Sequence, residues 1–357
     1  HIFSFVLSTT PTLSLDKKNT QHSTNRKRQH IRSSSRYYLY IYTILAFVAA
    51  SSKRYPLKAK VAAASFHSQF NMPSITTRNG DGTIVVSPKN EASQTATVVI
   101  CHGLGDSAEG FADVAEHLST QMPYVKFILP TAPTQPVTMN MGMPMPSWYD
   151  IVGLDERSNE KCAGIEESRK TLVSILAKEH ETTKLPYSRM ALAGFSQGGA
   201  LSIFTGMQME KVDQKLAGIL VMSGYLAGFG QFKITPGLED TPVLHCHGMS
   251  DPMVPFGMAE KSRDKAIEKG ATDYKLEGYA GLQHSVCPQE IADAAQFLSR
   301  ILPPDDSCKI QLKDPSEMSV KELKEAIRKA GLGSKAVGLM EKAEFVKLVK
   351  DHREGKC

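Results

Sequence analysis

The chain has 357 residues, 41% of them hydrophobic, enough to bury one large α/β domain with extra segments or two domains. Its net charge of +5 is unevenly spread: residues 1–80 carry +11, residues 308–357 carry +4, and the body between them carries −10. The basic overall balance therefore gives no reason to expect nucleic acid as the partner of that acidic body.

Residues 1–80 hold twelve Lys and Arg against the single acid Asp16, are rich in Ser, and do not read as folded protein. Tyr37 to Ala50 is a 14-residue apolar run. That is short of the roughly 20 residues a spanning helix needs, but long enough for a signal-type hydrophobic region. Three readings stand: non-native upstream sequence with translation beginning at Met72, an organelle transit peptide, or a membrane or secretory signal.

An α/β rhythm starts near residue 83. Ala96 to Cys101 is a continuous apolar run, as in a strand buried on both faces. It leads into His102-Gly103-Leu104-Gly105-Asp106 and a helix through about Leu118. Val125 to Leu129 predicts the next strand. Pro136 to Asp150 carries methionines at 139, 141, 143 and 145 among three prolines, so a regular helix is excluded. Soft Met side chains suit the wall or lid of a groove for a flexible acyl chain. With no Cys or His between them, they make a poor Cu(I) site.

Arg157 to His180 has helical spacing, and Met190 to Ala193 reads as a buried strand. Further strands are predicted at Leu216 to Met222, Thr241 to His245 and Asp273 to Tyr279. Helices are predicted around Asp264 to Lys269 and over Pro288 to Leu302. Strands alternating with helices predict an α/β fold: a mostly parallel central sheet with helices on both faces, spanning residues 83–304. The six cysteines are scattered with no C-x-x-C pair, and read as reduced thiols rather than disulfides or zinc ligands.

Pro303 to Ser307 marks a boundary. Beyond it, Ser319-Val320-Lys321-Glu322 is a capping box that opens a helix with Leu323, Ile327 and Ala330 on one face and Gly331 as its stop. A second helix is predicted from about Glu341 to Asp351. Residues 308–357 thus form a small helix-loop-helix appendage. It weakly resembles SAP-like modules, some of which bind DNA, but with eight acids it is better suited to packing or to docking a protein partner.

The chemistry centres on Gly194-Phe195-Ser196-Gln197-Gly198. It fits G-x-S-x-G with a strand before it and a small-residue helix after it, the context of a nucleophile elbow. A serine hydroxyl needs a base to take its proton and an acid to orient that base. In α/β-hydrolases these follow the serine in the order acid, then His. Asp251, on a loop fixed by Pro252 and Pro255, is the candidate acid. His284 in Gly281-Leu282-Gln283-His284-Ser285 is the base that can follow it, whereas His245 reads as a core residue. The backbone N–H of Gln197 and that of Leu104 are the candidate oxyanion donors.

Together His102-Gly-Leu-Gly-Asp106, Pro130-Thr-Ala-Pro133, Pro146-Ser-Trp-Tyr-Asp150, the elbow through Leu201, Asp251-Pro252 and His284-Ser285 resemble the acyl-protein thioesterase / lysophospholipase group of small α/β-hydrolases. The resemblance covers residues 83–304. It implies an α/β-hydrolase fold and cleavage of long-chain acyl thioesters from S-palmitoylated proteins, with activity on lysophospholipids and small carboxylic esters. It assigns Ser196 as nucleophile, His284 as base, Asp251 as its orienter, and Leu104 and Gln197 as oxyanion donors. Met141 and Met143 become part of the acyl groove, with Trp148 nearby. It further implies a cytoplasmic enzyme without metal or other cofactor, in at most peripheral contact with membrane. An organelle address is the alternative if residues 1–71 are a transit sequence.

Overall fold

The computed structural model describes residues 74–153, 161–310 and 312–356. The leader of residues 1–71 and the predicted helix start at Arg157 lie outside them.

Ten strands are described: β1 (Ser74–Arg78), β2 (Ile84–Pro88), β3 (Ala96–Cys101), β4 (Val125–Leu129), β5 (Thr134–Val137), β6 (Met143–Pro146), β7 (Met190–Phe195), β8 (Gly218–Met222), β9 (Val243–Gly248) and β10 (Tyr274–Tyr279). Eight form one sheet in the order β1-β2-β4-β3-β7-β8-β9-β10. β2 runs antiparallel to both β1 and β4, and every other neighbouring pair is parallel.

Alternate residues of the central strands feed two cores. Val98 and Ile100 pack into one with α1 (Ala112–Gln121) and α5 (Pro288–Ile301). Val99 and Cys101 pack into the other with α2 (Ile165–Thr183), α3 (Gln197–Gly206) and α4 (Phe256–Glu268). Coverage on both faces is why β3 reads as an unbroken apolar run rather than an alternating one. α3 is buried along its whole length, as its small residues allow.

Two predicted elements are corrected, and the Met-rich segment, for which only a regular helix was excluded, takes a definite form. The long helix begins at Ile165, because Cys162 and Gly164 have φ of 32° and 94°, left-handed conformations that cannot continue a helix. β9 extends through Gly248, pairing His247 with Gly278, so His247 lies on a strand and not in the loop of Asp251. The Met-rich segment is an antiparallel hairpin, β5 with β6, that sets Pro136 opposite Pro144. The pair stands apart from the main sheet, where prolines cost no ladder to a third strand.

Past the sheet, α6 (Val320–Lys329) and α7 (Lys342–Arg353) share a small core of Leu323, Ile327, Leu332, Phe345 and Val349. The predicted capping box closes α6: Ser319 N–H donates to Glu322 Oε2 at 2.6 Å, and Glu322 N–H donates to Ser319 Oγ at 3.2 Å. This pair docks beside β2, with His352 Nε2–H on the Lys89 carbonyl at 2.7 Å and Asn90 Nδ2–H on the Arg353 carbonyl at 3.0 Å. No helix among the described residues is long and apolar enough to cross a membrane.

Candidate active site

The C-terminal ends of β3, β7, β9 and β10 gather the candidate residues at one rim, where open parallel sheets place ligands. β7 turns into α3 at Ser196, whose φ of 53° and ψ of −118° form a strained elbow that turns the side chain out of the strand. The flanking glycines are required by contact. A Cβ on Gly194 would meet the Gly198 carbonyl carbon at 2.3 Å, and one on Gly198 would meet the Cys101 carbonyl oxygen at 2.2 Å.

His284 Nε2 lies 3.0 Å from Ser196 Oγ, and its Nδ1 lies 2.6 Å from Asp251 Oδ2. The second oxygen of Asp251 accepts the N–H groups of Met253 and Val254 at 2.8 and 2.9 Å, so the carboxylate is held from both sides. Nδ1–H therefore donates to the carboxylate, which leaves the Nε2 lone pair for the serine hydroxyl. The Asp251 side chain is fully buried and that of His284 is 20% exposed. The Phe195 ring lies 4.9 Å from the imidazole and braces it.

Gln197 N–H opens α3, where no helical carbonyl can accept it. The loop carrying Leu104 passes beside the serine: a Cβ on Gly103 would lie 3.5 Å from Ser196 Cβ. His102, which the sequence reading gave no role, anchors this loop. Its Nδ1–H donates to the Gly103 carbonyl at 2.7 Å, and its Nε2 accepts Ala132 N–H at 3.0 Å. Burial lowers its pKa, which favours the neutral ring that this pattern requires.

The Gln197 side chain also has a role the sequence did not suggest. It donates to Ser147 Oγ at 2.9 Å and the Tyr149 carbonyl at 2.7 Å, and accepts Trp148 N–H at 3.0 Å. Trp148 lies elsewhere than the substrate-lining position expected. Its side chain is 1% exposed, and its indole N–H is spent on the His102 carbonyl at 2.8 Å, so it props up the loop from beneath. The methionines divide: Met139 and Met145 pack inward, whereas Met141 and Met143 stand 89% and 51% exposed on the hairpin. Met141 has φ of 57°, unusual for a side chain of its size.

Two buried groups lie close behind this rim. Glu290 on α5 is buried, and burial, opposed by the Cys287 backbone N–H and helped by nearby Asp293, pushes its pKa up to about 7. His245 is also buried, as the sequence suggested, with its pKa pushed down to about 3 by burial and the adjacent His247. Among the described residues no group of three or more His, Cys, Asp or Glu is placed to hold a metal ion.

A serine hydroxyl, an imidazole and a carboxylate in hydrogen-bonded sequence form the arrangement that acyl transfer by a serine nucleophile uses. Residues 81–302 match the phospholipase/carboxylesterase family. The chain belongs to that family. Two of its curated relatives are named acyl-protein thioesterase 1. The one from Mycosarcoma maydis is 37% identical over 62% of this chain and 97% of its own length. The one from Neurospora crassa is 39% identical over 59% of this chain and 89% of its own. Among solved structures, Zea mays acyl-protein thioesterase 2 superposes with a TM-score of 0.54 at 26% identity, over 62% of this chain and 98% of its own. The architecture is thus the α/β-hydrolase fold, and the protein is a hydrolase.

Proposed function

We propose that this family member is a serine hydrolase that removes long-chain acyl groups from S-acylated proteins, with lysophospholipids and carboxylic esters as further substrates. The relay from Ser196 through His284 to Asp251 carries the chemistry. The thioester specificity rests on the relatives named acyl-protein thioesterase.

Ser196 Oγ attacks the thioester carbonyl carbon while His284 Nε2 takes the hydroxyl proton. Asp251 steadies the imidazolium through Nδ1–H. The N–H groups of Leu104 and Gln197 receive the oxyanion. Collapse breaks the C–S bond, His284 returns the proton to the leaving thiolate, and an acyl-Ser196 ester remains. Water then gives a proton to His284 and its oxygen to the acyl carbon. The C–Oγ bond breaks, Ser196 recovers its proton and the fatty acid leaves.

Met141 and Met143 provide an adaptable apolar surface for the acyl chain. Such an enzyme works in the cytoplasm on membrane-anchored substrates through peripheral contact, with the helical pair after residue 308 free to dock a protein partner. The deciding experiment compares wild type with Ser196→Ala on a palmitoyl-thioester peptide and on a lysophospholipid. The expected loss is on the order of 10⁴-fold or more. Activity surviving the substitution, or a wild-type protein inert to a fluorophosphonate probe, refutes the mechanism.

A further inference from the structure

Behind the acid loop lies a hydrogen-bonded chain of two buried histidines and a half-buried tyrosine that the proposed relay does not use. His247 Nε2 lies 2.8 Å from the Val254 carbonyl and 3.5 Å from Asp251 Oδ2. Its Nδ1 is 3.3 Å from His245 Nε2, and His245 Nδ1 is 2.8 Å from the Tyr274 hydroxyl.

The direction of every bond in this chain follows from donor chemistry. A carbonyl and a carboxylate can only accept, so His247 Nε2 carries the proton. Both imidazoles are buried, and burial lowers the pKa of each, so each keeps one proton. His247 Nδ1 is then an acceptor, His245 Nε2–H donates to it, and Tyr274 O–H donates to His245 Nδ1. His245 also has the Gly224 carbonyl as an acceptor, which suits a ring that carries an N–H.

The geometry points to His247 as a positioning residue for the acid, kept in its Nε2–H tautomer by the buried His245 and the half-buried Tyr274. It rests on the assignment of Asp251 as the orienter of His284. A single N–H there acts twice. It ties down the Val254 carbonyl, and with it the loop whose Met253 and Val254 N–H groups hold Asp251 Oδ1. It also sets a positive dipole beside Oδ2, the oxygen that receives His284 Nδ1–H, and so offsets part of the carboxylate charge. Besides these, His247 faces the Phe256 ring, 6.0 Å away, and the charge of His284 when that ring is protonated.

The test measures kcat, KM and the pH profile of p-nitrophenyl butyrate hydrolysis for His247→Phe and His247→Gln. Phe keeps the bulk and removes the N–H, whereas Gln returns an N–H near the position of Nε2. For Phe we expect kcat to fall about tenfold at unchanged KM. The acidic limb of kcat/KM should move to higher pH, because a less compensated carboxylate favours protonated His284. Gln should recover most of both. A Phe variant with wild-type kcat and pH profile overturns the proposal. So does a Gln variant that folds as wild type yet fails as badly as Phe. If His247→Phe does not fold, Tyr274→Phe decides, because it removes one oxygen at the far end of the chain. A shifted acidic limb supports the proposal and an unshifted one overturns it. Asp251→Asn measured alongside separates the two claims: activity surviving it refutes the relay itself, whereas an inactive Asp251→Asn beside an unaffected His247→Phe refutes only the role given to His247.

Discussion

Replacing Glu290 with Gln should change how stability depends on pH. Glu290 sits in the first turn of α5, buried, and desolvation outweighs the Cys287 backbone N–H to raise its pKa from the usual 4.5 to about 7. The folded state therefore holds this proton more tightly than the unfolded chain does. The stability contributed by the protonated acid is fully present below pH 4.5, declines as pH rises towards 7 and is gone above it. At 1.36 kcal/mol per pKa unit the swing is about 3 kcal/mol. Gln does not titrate and shows no such decline. Relative to wild type, Glu290→Gln should gain about 3 kcal/mol between pH 4.5 and pH 8. Urea unfolding followed by the emission of Trp148, the sole tryptophan and buried, measures both proteins across this range. Other titrating groups are common to both and cancel in the difference. A difference that stays flat with pH would refute the claim that a desolvated Glu290 titrates near neutrality.

Gln197→Ala removes three hydrogen bonds to residues 147–149 and strands buried polar atoms, so denaturant midpoints should show a loss of about 2–4 kcal/mol. Gly198→Ala drives a methyl group into the Cys101 carbonyl and should cost about 3 kcal/mol or more, or abolish the folded protein, as read by thermal melting. Met141→Gly relieves a left-handed residue and should raise stability by up to about 1 kcal/mol. If the hairpin carries the acyl chain, it should also raise KM for palmitoyl thioesters several-fold and leave short esters unaffected. Cys101 and Cys246 are buried thiols pushed up to about 12, so iodoacetamide at pH 8 should leave both unmodified in the native protein, as read by peptide mass spectrometry.

The three groups of the proposed relay stand out in the sequence because each sits where a pattern changes. Ser196 stands between an apolar run and a small-residue helix, Asp251 just past a strand and before a proline, and His284 between a strand and the closing helix. What holds these groups was harder to read. The predicted strand stops at His245, short of His247, because a polar residue at a strand end carries no periodic signal, and the partner that makes His247 strand, Gly278, lies far along the chain. The proline-rich hairpin was hidden because prolines argue against strands except in an isolated pair such as this one. Trp148 next to the exposed methionines suggested a groove. Its burial depends on the carbonyl of His102 and the side chain of Gln197, contacts that no local spacing encodes.

The parallel sheet has a consequence for the order in which the protein gains its activity. Ser196, Asp251 and His284 hang from three strands, and β7 reaches β10 only through β8 and β9, each pairing closing a long loop of chain. Such distant pairings are slow to form during folding. If the proposed relay carries the hydrolysis, turnover should return only late in refolding, after secondary structure, and a nascent chain released before β10 is made should be inert. On that mechanism, catalysis would serve as its own report that the last strand has docked.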